Sequence, residues 1–449
     1  MPPTYCGNRT RIKGLSLRLH VLYPALPLSH GYVQYHLRNF YKLYRDGLQY
    51  NLTLFKWYGG VIKAEQLLVH DPLAIQHILA RDQDAFEEAD MFVEANRLLF
   101  GEGLIATVGA QHKKQRKLLT PVFSLTNLRS ILPRLQHVAN ELSTKLQADL
   151  PSGGGTQEID ILRWLSRGTL EYVSRGILGV DLDFMDAEKT NEYANAICNV
   201  QLAPFPALRE LRDIAAELMH RSAKDIFIAK KAEVKEMGTD AKSSGDLMSI
   251  LFRAKSSTQD KLRLTEDELI GQITTFMLGG QETTTSALAR LLHILAQEQE
   301  AQTRLCSEIR KAKLAQATAQ GESELSNWQH INLPYDVLMG LPYLDAVVRE
   351  TLRLFPPTSM MNRTMTFFGG SRACIGFKFA EMEIKQILAT LLSTMHFTLP
   401  TAEDVEGKRK KIYWRMDGLQ VPVILPPCGD PKTAQVPLNI RLAKGGDFL

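Results

Sequence analysis

The sequence lacks long apolar runs, paired cysteines and any marked excess of charge of either sign. Its most apolar early stretch, residues 19–28, is interrupted by Pro24 and Pro27, so it falls short of the roughly 18 consecutive apolar residues of a membrane-spanning helix. The first 20 residues also lack the apolar core and cleavage site of a secretory signal. A net charge of +4, from 53 basic and 49 acidic residues, is too dilute for a nucleic-acid-binding surface. We therefore expect neither a spanning helix nor a nucleic-acid partner.

The cysteines are too irregularly spaced to form a disulfide framework or a zinc site. Their count is odd and none belongs to a Cys-x-x-Cys pair, which indicates a reducing compartment. An isolated cysteine is most often a small, inert core residue, and we expect this role for four of the five. The five are Cys6, Cys198, Cys306, Cys374 and Cys428.

Composition and periodicity predict a mainly α-helical fold with minor β structure. Apolar residues make up 45% of the chain and charged residues 23%, the balance of a globular protein with a large core. Leucine and valine recur at helical spacing from Leu135 to Leu146, before the Pro-Ser-Gly-Gly-Gly sequence that starts at Pro151. A proline at position 422 interrupts the short apolar run of residues 419–425, which is typical of an edge strand.

Local signals also predict the boundaries of the longest helix. Thr265 and Glu268 have the spacing of a capping box, so a helix begins between them. The helical pattern then continues without proline to about Ala315, which is too long for one globular helix. We expect a turn near residues 298–300 to divide it.

Two further helices are expected closer to the carboxyl end. Pro342 suits the first position of a helix, and the prolines at 356 and 357 end that helix. The second runs from Phe377 to about Met395. Together with the earlier signals, these helices make the class mainly α.

A glycine-rich loop around Cys374 carries the most informative chemistry. Residues 367–376 read Phe-Phe-Gly-Gly-Ser-Arg-Ala-Cys-Ile-Gly and lead into the last helix. The glycines let the backbone turn tightly against a flat ligand, and the amino end of the helix favours a thiolate at Cys374. A thiolate here can ligate a metal or attack a carbon, and iron ligation gains because no His or Asn arrangement accompanies it. Arg372 can pair with a carboxylate. From this chemistry alone, however, a Gly-rich turn around a buried cysteine is the better supported interpretation.

Two adjacent glycines and a run of threonines interrupt the long helix. Gly279 and Gly280 each cost roughly 1 kcal/mol relative to alanine in a helix, so their presence needs a reason. The missing side chains can open a groove for a planar cofactor and dioxygen, with Glu282 and Thr283 as an acid and a hydroxyl for proton relay. The alternative is that the glycines permit close helix packing and the threonine hydroxyls bond back to their own helix.

These motifs together resemble the cytochrome P-450 family. The loop matches all five fixed positions of the family's ten-residue haem-binding signature, at Phe367, Gly370, Arg372, Cys374 and Gly376. Residues 279–284 are similar to the family's central helix over the haem, and Glu350-Thr-Leu-Arg353 is similar to its Glu-x-x-Arg helix. The motifs stand in the family's order, and weaker similarity extends from about residue 58 to about residue 427.

The resemblance implies a cytochrome P-450 fold and haem b as the cofactor. The fold would form a single large domain at residues 51–449, after an N-terminal arm at residues 1–50 without a transmembrane anchor. Cys374 would ligate the haem iron. Glycines 279 and 280 and the signature residues would line the cofactor, with Thr283 as the hydroxyl and Glu282 as the acid on the oxygen side.

The resemblance also suggests which residues hold the haem propionates. Arg116 resembles the family's propionate arginine on an early helix. His112, four residues earlier, and Arg363 are weaker candidates for the same role.

Glu350 and Arg353 lie at positions i and i+3 on one helix face. As an exposed pair they would contribute little to stability. The resemblance instead places them buried beneath the haem loop, in a network that another arginine from a later segment completes.

A stretch typical of the family is missing before the signature. Only Thr364, Met365 and Thr366 separate Arg363 from Phe367, where family members have strands, an irregular loop and the additional arginine. We therefore expect a partly truncated fold, with the family segment absent between about residues 363 and 367. A buried glutamate without its third partner would weaken the fold and the retention of haem. A spliced isoform or missing exons would explain the gap.

The function that the resemblance implies is haem-thiolate monooxygenation. One oxygen atom of O2 would enter a lipophilic small molecule, with electrons from a partner of the NADPH-cytochrome P-450 reductase type, since the chain has no G-x-G-x-x-G context of its own. The family parallels suggest the cytosolic face of the endoplasmic reticulum membrane. Residues 15–45 are a candidate for peripheral membrane contact, and a cytoplasmic location is the alternative for a chain without an anchor.

Two other functional hypotheses remain open. The first is a truncated, non-catalytic remnant that binds haem poorly and serves at most as an interaction protein. The second is a haem-thiolate isomerase or dehydratase that rearranges peroxides without a reductase. Glu282 and Thr283 argue against the second hypothesis, because an acid and alcohol pair suits the protonation of dioxygen.

Overall fold

Helices dominate the described part of the chain, which confirms the predicted class. The computed structural model describes residues 61–63, 67–69, 71–82, 88, 90–152, 154–186, 209–237, 249, 264–322, 325–358, 367, 369–400, 410–417, 419–426, 428–430 and 433–448. Its α-helices, numbered in chain order, are α1 (Pro72–Gln76), α2 (Asp90–Phe100), α3 (Gly109–Leu119), α4 (Leu125–Ala148), α5 (Ile161–Glu171), α6 (Arg209–Met237), α7 (Glu266–Gln297), α8 (Gln299–Ala319), α9 (Tyr335–Met339), α10 (Pro342–Leu354) and α11 (Phe377–Thr394).

Shorter helical turns connect several of these elements. Two are π-helical, directly after α1 and α5, at His77–Arg81 and Tyr172–Leu178. The 3-10 helices are Leu104–Ala106, Thr120–Phe123, Leu325–His330, Gly370–Arg372 and Gly445–Phe448.

The strands form three small antiparallel sheets at the periphery. They are β1 (Val61–Lys63), β2 (Leu67–Val69), β3 (Gln157–Asp160), β4 (Met395–Thr398), β5 (Ile412–Asp417), β6 (Leu419–Ile424) and β7 (Pro437–Leu442). β1 pairs with β2 and β5 with β6, while β7 lies between β3 and β4. Pro422 is opposite Trp414 in the two-stranded β5–β6 sheet, so the predicted edge strand is confirmed.

The division of the long helix is also confirmed. The Thr265 hydroxyl accepts from the Glu268 amide at 3.1 Å, and the Glu268 carboxylate accepts from the Thr265 amide at 2.7 Å. Glu298 leaves the helical conformation (φ −101°, ψ 76°) and separates α7 from α8. The side-chain amide of Gln302 then donates to the Leu295 carbonyl at 2.9 Å, so a carbonyl freed at the end of α7 gains a new partner.

The core lies where α5 and α11 pack against α7 on one side and against α4 on the other. One fully buried leucine from each helix illustrates this centre: Leu142, Leu165, Leu288 and Leu388. Burying a leucine side chain stabilises a fold by about 1.5–3 kcal/mol. The apolar repeat predicted in α4 therefore faces this core. α7 packs against α5, α6 and α11, and most of its residues are buried.

Helix α10 is held against its neighbours by hydrogen bonds to one carboxylate and by an ion pair with a buried lysine. The Glu308 carboxylate on α8 accepts from the amides of Tyr343 and Leu344 at 2.8 Å each, which satisfies free amides at the start of α10. Lys385 on α11 is almost fully buried and donates to the Asp345 carboxylate at 2.7 Å. These contacts fix α10 beside α11, the helix that follows Cys374.

Several predictions fall on residues that the structure does not describe. Among these residues are the arm 1–50 with its proposed membrane contact at 15–45, Arg363 and the short tether around it, and Cys6 and Cys198. Within the ranges given above, no helix combines the length and apolar character needed to span a bilayer.

Candidate functional site

Cys374 lies at the junction between a tight turn and the amino end of α11. Its amide donates to the Phe367 carbonyl at 2.7 Å, which closes the loop. Gly370 has φ +69°, a left-handed conformation that glycine adopts without strain. The Cys374 side chain is accessible to solvent, and the nearby Gly376 amide acts to lower the pKa of its thiol. The loop therefore presents the sulfur outward from the start of a helix.

The surroundings of Cys374 favour the neutral thiol over the thiolate when no cation is bound to the sulfur. Burial raises the pKa of the Cys374 thiol, against the opposing effects of the Gly376 amide and the Arg116 charge. The sulfur is therefore crowded by protein and yet accessible, which places it in a concave part of the surface. A metal ion that coordinates the sulfur displaces its proton. This environment suits a ligand that is deprotonated on metal binding better than a free nucleophile.

Two arginines bring positive charge to the same concavity. Arg372 donates to the Thr107 carbonyl at 2.9 Å and pairs with the Glu88 carboxylate at 2.8 Å. Burial lowers the pKa of the half-buried Arg116 guanidinium; the Cys374 charge opposes this shift and the Arg372 charge adds to it. No carboxylate among the described residues pairs with Arg116. A partly desolvated guanidinium without a counter-ion is suited to an anionic ligand group.

A buried network of amide side chains holds helix α3, which carries Arg116. Gln115 donates to the Glu268 carboxylate at 3.1 Å and to the Glu102 carbonyl at 2.9 Å. Gln272 in turn donates to the Gln115 side chain at 3.0 Å. Gln115 and Gln272 are fully buried, where an unmade hydrogen bond is costly. The network therefore locks α3 against α7.

The adjacent glycines of α7 face different surroundings. A Cβ atom at Gly279 would meet nothing within 4 Å, whereas one at Gly280 would lie 2.6 Å from Cγ2 of Val173. Gly279 therefore borders open space, as the groove interpretation requires. Gly280 instead permits close contact with the π-helix Tyr172–Leu178, as the packing interpretation requires. Each interpretation of the sequence fits one of the two glycines.

Thr283 lies on the same face of α7 as Gly279. Its hydroxyl donates to the Gly279 carbonyl at 2.9 Å, which is the bond back to the helix that the alternative interpretation described. The hydroxyl oxygen keeps lone pairs that can accept a further hydrogen bond. Glu282, the next residue toward the amino end, is half-buried and engaged with other groups. An alcohol and an acid therefore lie together beside the open glycine.

The remaining signature residues support the loop. The rings of Phe367 and Phe377 are 6.0 Å apart, and Phe367 packs against the core. A Cβ atom at Gly376 would lie 3.5 Å from the ring of Phe123. His112, on the turn of α3 before Arg116, is buried and has an interaction of its own.

The predicted burial of Glu350 and Arg353 is wrong. They form a bidentate pair with distances of 2.7 and 2.6 Å, but their side chains are 56% and 46% exposed, respectively. The pair is hydrated, and no third charged partner joins it among the described residues. A carboxylate left in water avoids the cost of desolvation. The expected weakening of the fold by a buried, incomplete network therefore does not arise.

The sequence contains no signal for some of the residues that shape the site. Glu88 pairs with Arg372, and Gln115 joins α3 to α7, although neither residue belongs to a motif with a defined partner. Their contacts join distant parts of the chain, so no local pattern could have identified them. For Cys306 the core role is confirmed: it is buried, and burial raises the pKa of its thiol to about 12. Across the described ranges, no three His, Cys, Asp or Glu side chains gather into a metal site.

Comparison with known proteins gives consistent matches along most of the chain. The cytochrome P-450 family model matches residues 25–367 and residues 361–423. The chain is 28% identical to cytochrome P-450 monooxygenase 91 of Postia placenta over 522 aligned positions, which cover 89% of the chain and 90% of that protein. Monooxygenase 81 of the same organism is 30% identical, with 89% of both chains covered. Ganoderic acid synthetase of Ganoderma lucidum is 26% identical, with 80% of this chain and 83% of that protein covered.

Proposed function

Because the chain belongs to the cytochrome P-450 family, we propose that it oxygenates a lipophilic small molecule at a haem held by Cys374. The family assignment makes the chain an oxidoreductase of the monooxygenase class, with haem as its cofactor and a cysteine sulfur as the iron ligand. The substrate, the electron donor and the residue roles below are proposals.

The residues present fit a haem. Cys374 offers an accessible sulfur at the start of α11, and Gly279 offers a helix surface that no side chain fills. The guanidinium of Arg116, near Cys374, lacks a carboxylate partner among the described residues and suits a propionate. Arg372 can share that role while it remains bound to the Thr107 carbonyl. The accessible cysteine beside an uncompensated arginine is the observation that carries the proposal.

Glu282 and Thr283 are proposed to handle protons on the oxygen side. Bound haem supplies the binding and reductive activation of dioxygen. The Thr283 hydroxyl donates its proton to the Gly279 carbonyl, which fixes its oxygen so that it could accept a hydrogen bond from a protonated ligand beside Gly279. The neighbouring Glu282 carboxyl would take a proton from solvent and donate it to that ligand.

We propose that a separate reductase of the NADPH-dependent type supplies the electrons. The sequence has no glycine-rich dinucleotide motif in a strand–helix context. We therefore assign the binding of NADPH and the delivery of electrons to a partner protein. The proposed location is the cytosolic face of the endoplasmic reticulum, which rests on the family resemblance. Fractionation of cells that express the tagged chain tests it, and recovery in the soluble fraction alone would contradict it.

We also propose that the chain is a shortened member of the family. The two family matches overlap at residues 361–367, the position of the expected deletion. The alignment with monooxygenase 91 runs over 522 positions, more than the 449 residues of this chain, so that relative has residues without a counterpart here. Because Glu350 and Arg353 are exposed, the pair does not support the cysteine loop from beneath as the resemblance implied. The loss of that support, rather than any loss of fold stability, favours a second candidate function, a remnant that retains haem weakly.

A haem-loading experiment decides between these two candidates. The full chain is expressed with haem supplementation, and the haem-to-protein ratio and the carbon monoxide difference spectrum of the reduced protein are measured. A thiolate-ligated spectrum that is lost in Cys374→Ser and kept in Cys428→Ser supports the monooxygenase. Arg116→Ala should lower the haem content more than Arg116→Lys. A well-folded chain without haem would establish the remnant instead.

A further inference from the structure

Three polar atoms of two side chains are enclosed between α7, α11 and the π-helix Tyr172–Leu178 without a hydrogen-bond partner in the described part of the protein. Glu383 on α11 and Tyr172 at the start of the π-helix are fully buried. Neither oxygen of the Glu383 carboxyl, nor the Tyr172 hydroxyl, makes a hydrogen bond within that part. These three atoms belong to neither the cysteine loop nor the proton-handling pair.

The two side chains and Thr284 lie close enough to interact with one another. Burial raises the pKa of Glu383 well above its ordinary value, and the hydroxyl of Thr284 acts in the opposite direction. Burial also raises the pKa of Tyr172, and the Glu383 charge adds to that shift. Thr284 is close enough to influence the carboxyl but lacks hydrogen-bond geometry toward it. Burial therefore favours the protonated form of the carboxyl. In that form the carboxyl, like the phenol and the alcohol, can donate as well as accept a hydrogen bond.

The residues around these side chains separate them from bulk solvent. Val173 and Met382, each next to one of the polar residues in the chain, are completely buried. The contact of Gly280 with Val173 brings α7 close to the π-helix. Such π-helical turns frequently occur at functional sites.

We propose that Glu383, Tyr172 and Thr284 form an internal water-binding site that joins α11, the π-helix and α7. Buried polar groups without a partner are rare in native proteins, and an internal water molecule typically makes about three hydrogen bonds to such groups. Two carboxyl oxygens, a phenol and an alcohol provide that number. Bound water thus completes the polar contacts behind the helix that carries Gly279 and Thr283, and it fixes the spacing of the three helices.

Magnetic relaxation dispersion of water 17O tests the site, because it counts long-lived internal water molecules in the full chain. We expect Glu383→Leu and Tyr172→Phe each to lower the count by at least one, and Glu383→Gln to preserve it. The control is Glu381→Gln, two residues earlier on α11, where the carboxyl has charged neighbours in Lys385 and Arg349. This control should leave the count unchanged.

Infrared spectroscopy provides a second readout that does not depend on haem. The wild-type chain should show the carbonyl band of a protonated carboxyl that disappears in Glu383→Gln, remains in Glu381→Gln and shifts in Tyr172→Phe. If Glu383→Leu fails to fold, the number of long-lived water molecules is compared in Tyr172→Phe and Thr284→Val instead, and each should be lower than in the wild type. An unchanged count in the folded variants, or a wild-type spectrum without the protonated band, overturns the proposal.

Discussion

Alanine substitutions at the two adjacent glycines of α7 should have opposite effects on stability. A Cβ atom at Gly280 would lie 2.6 Å from Cγ2 of Val173, whereas at Gly279 it would reach open space. Val173 is completely buried, and a β-branched side chain on helical backbone has one strongly preferred rotamer. Val173 therefore cannot rotate away from a new methyl group at little cost.

The expected magnitudes follow from two opposing effects. Alanine gains about 1 kcal/mol of helix propensity over glycine at either position. At Gly279 no contact opposes this gain, so the free energy of unfolding of the haem-free chain should rise by up to about 1 kcal/mol. At Gly280 overpacking costs about 1–3 kcal/mol, and the net result is a loss of up to about 2 kcal/mol.

Urea unfolding of the haem-free chain measures both variants. The contact itself is isolated by a double-mutant cycle, since Val173→Ala should relieve the crowding in Gly280→Ala with a coupling of about 0.5–3 kcal/mol. Gly279→Ala, although more stable, should hold less haem if the open face receives the cofactor. Equal stability of the two glycine variants, together with additive effects of Val173→Ala, would refute the reasoning.

Three further predictions concern stability. Phe448→Ala removes a ring 4.9 Å from that of Trp328 and should lower the free energy of unfolding by about 3–5 kcal/mol, which chemical denaturation can measure. Hydrogen bonds from an arginine lower the pKa of Asp447 from 3.8 to about 2, so its stabilising contribution is complete above pH 3.8 and is lost as the pH falls toward 2. Asp447→Asn should therefore flatten the pH dependence of the melting temperature in that interval, and an unchanged profile would contradict this. Glu350→Gln breaks an exposed pair with Arg353 and should shift the melting temperature much less than Phe448→Ala, since a comparable shift would mean that the pair is buried.

The helix boundaries could be predicted because their signals are local. Thr265 caps the residues that directly follow it, and Pro342 occupies the first position of its own helix. The break at Glu298 followed from length alone. These features depend on a few neighbouring residues, so one sequence was enough to locate them.

The burial of Glu350 could not be predicted in the same way. Whether a helix face is exposed to water depends on the segment that packs over it. The resemblance implied that the cysteine loop covers Glu350, and the described residues do not cover it. The proximity of Arg116 to Cys374 was likewise implied by resemblance rather than by spacing. Which glycine of α7 packs and which stays open depends on Val173, which belongs to another element.

The hydrogen bond from Arg372 to the Thr107 carbonyl spans 265 residues of sequence. During synthesis the amino-terminal partner leaves the ribosome long before the cysteine loop exists, so this contact can form only late. Contacts of such separation slow folding and leave apolar surface uncovered meanwhile. The nascent chain should therefore depend on chaperones, and cofactor loading has to wait until most of the polypeptide has been translated.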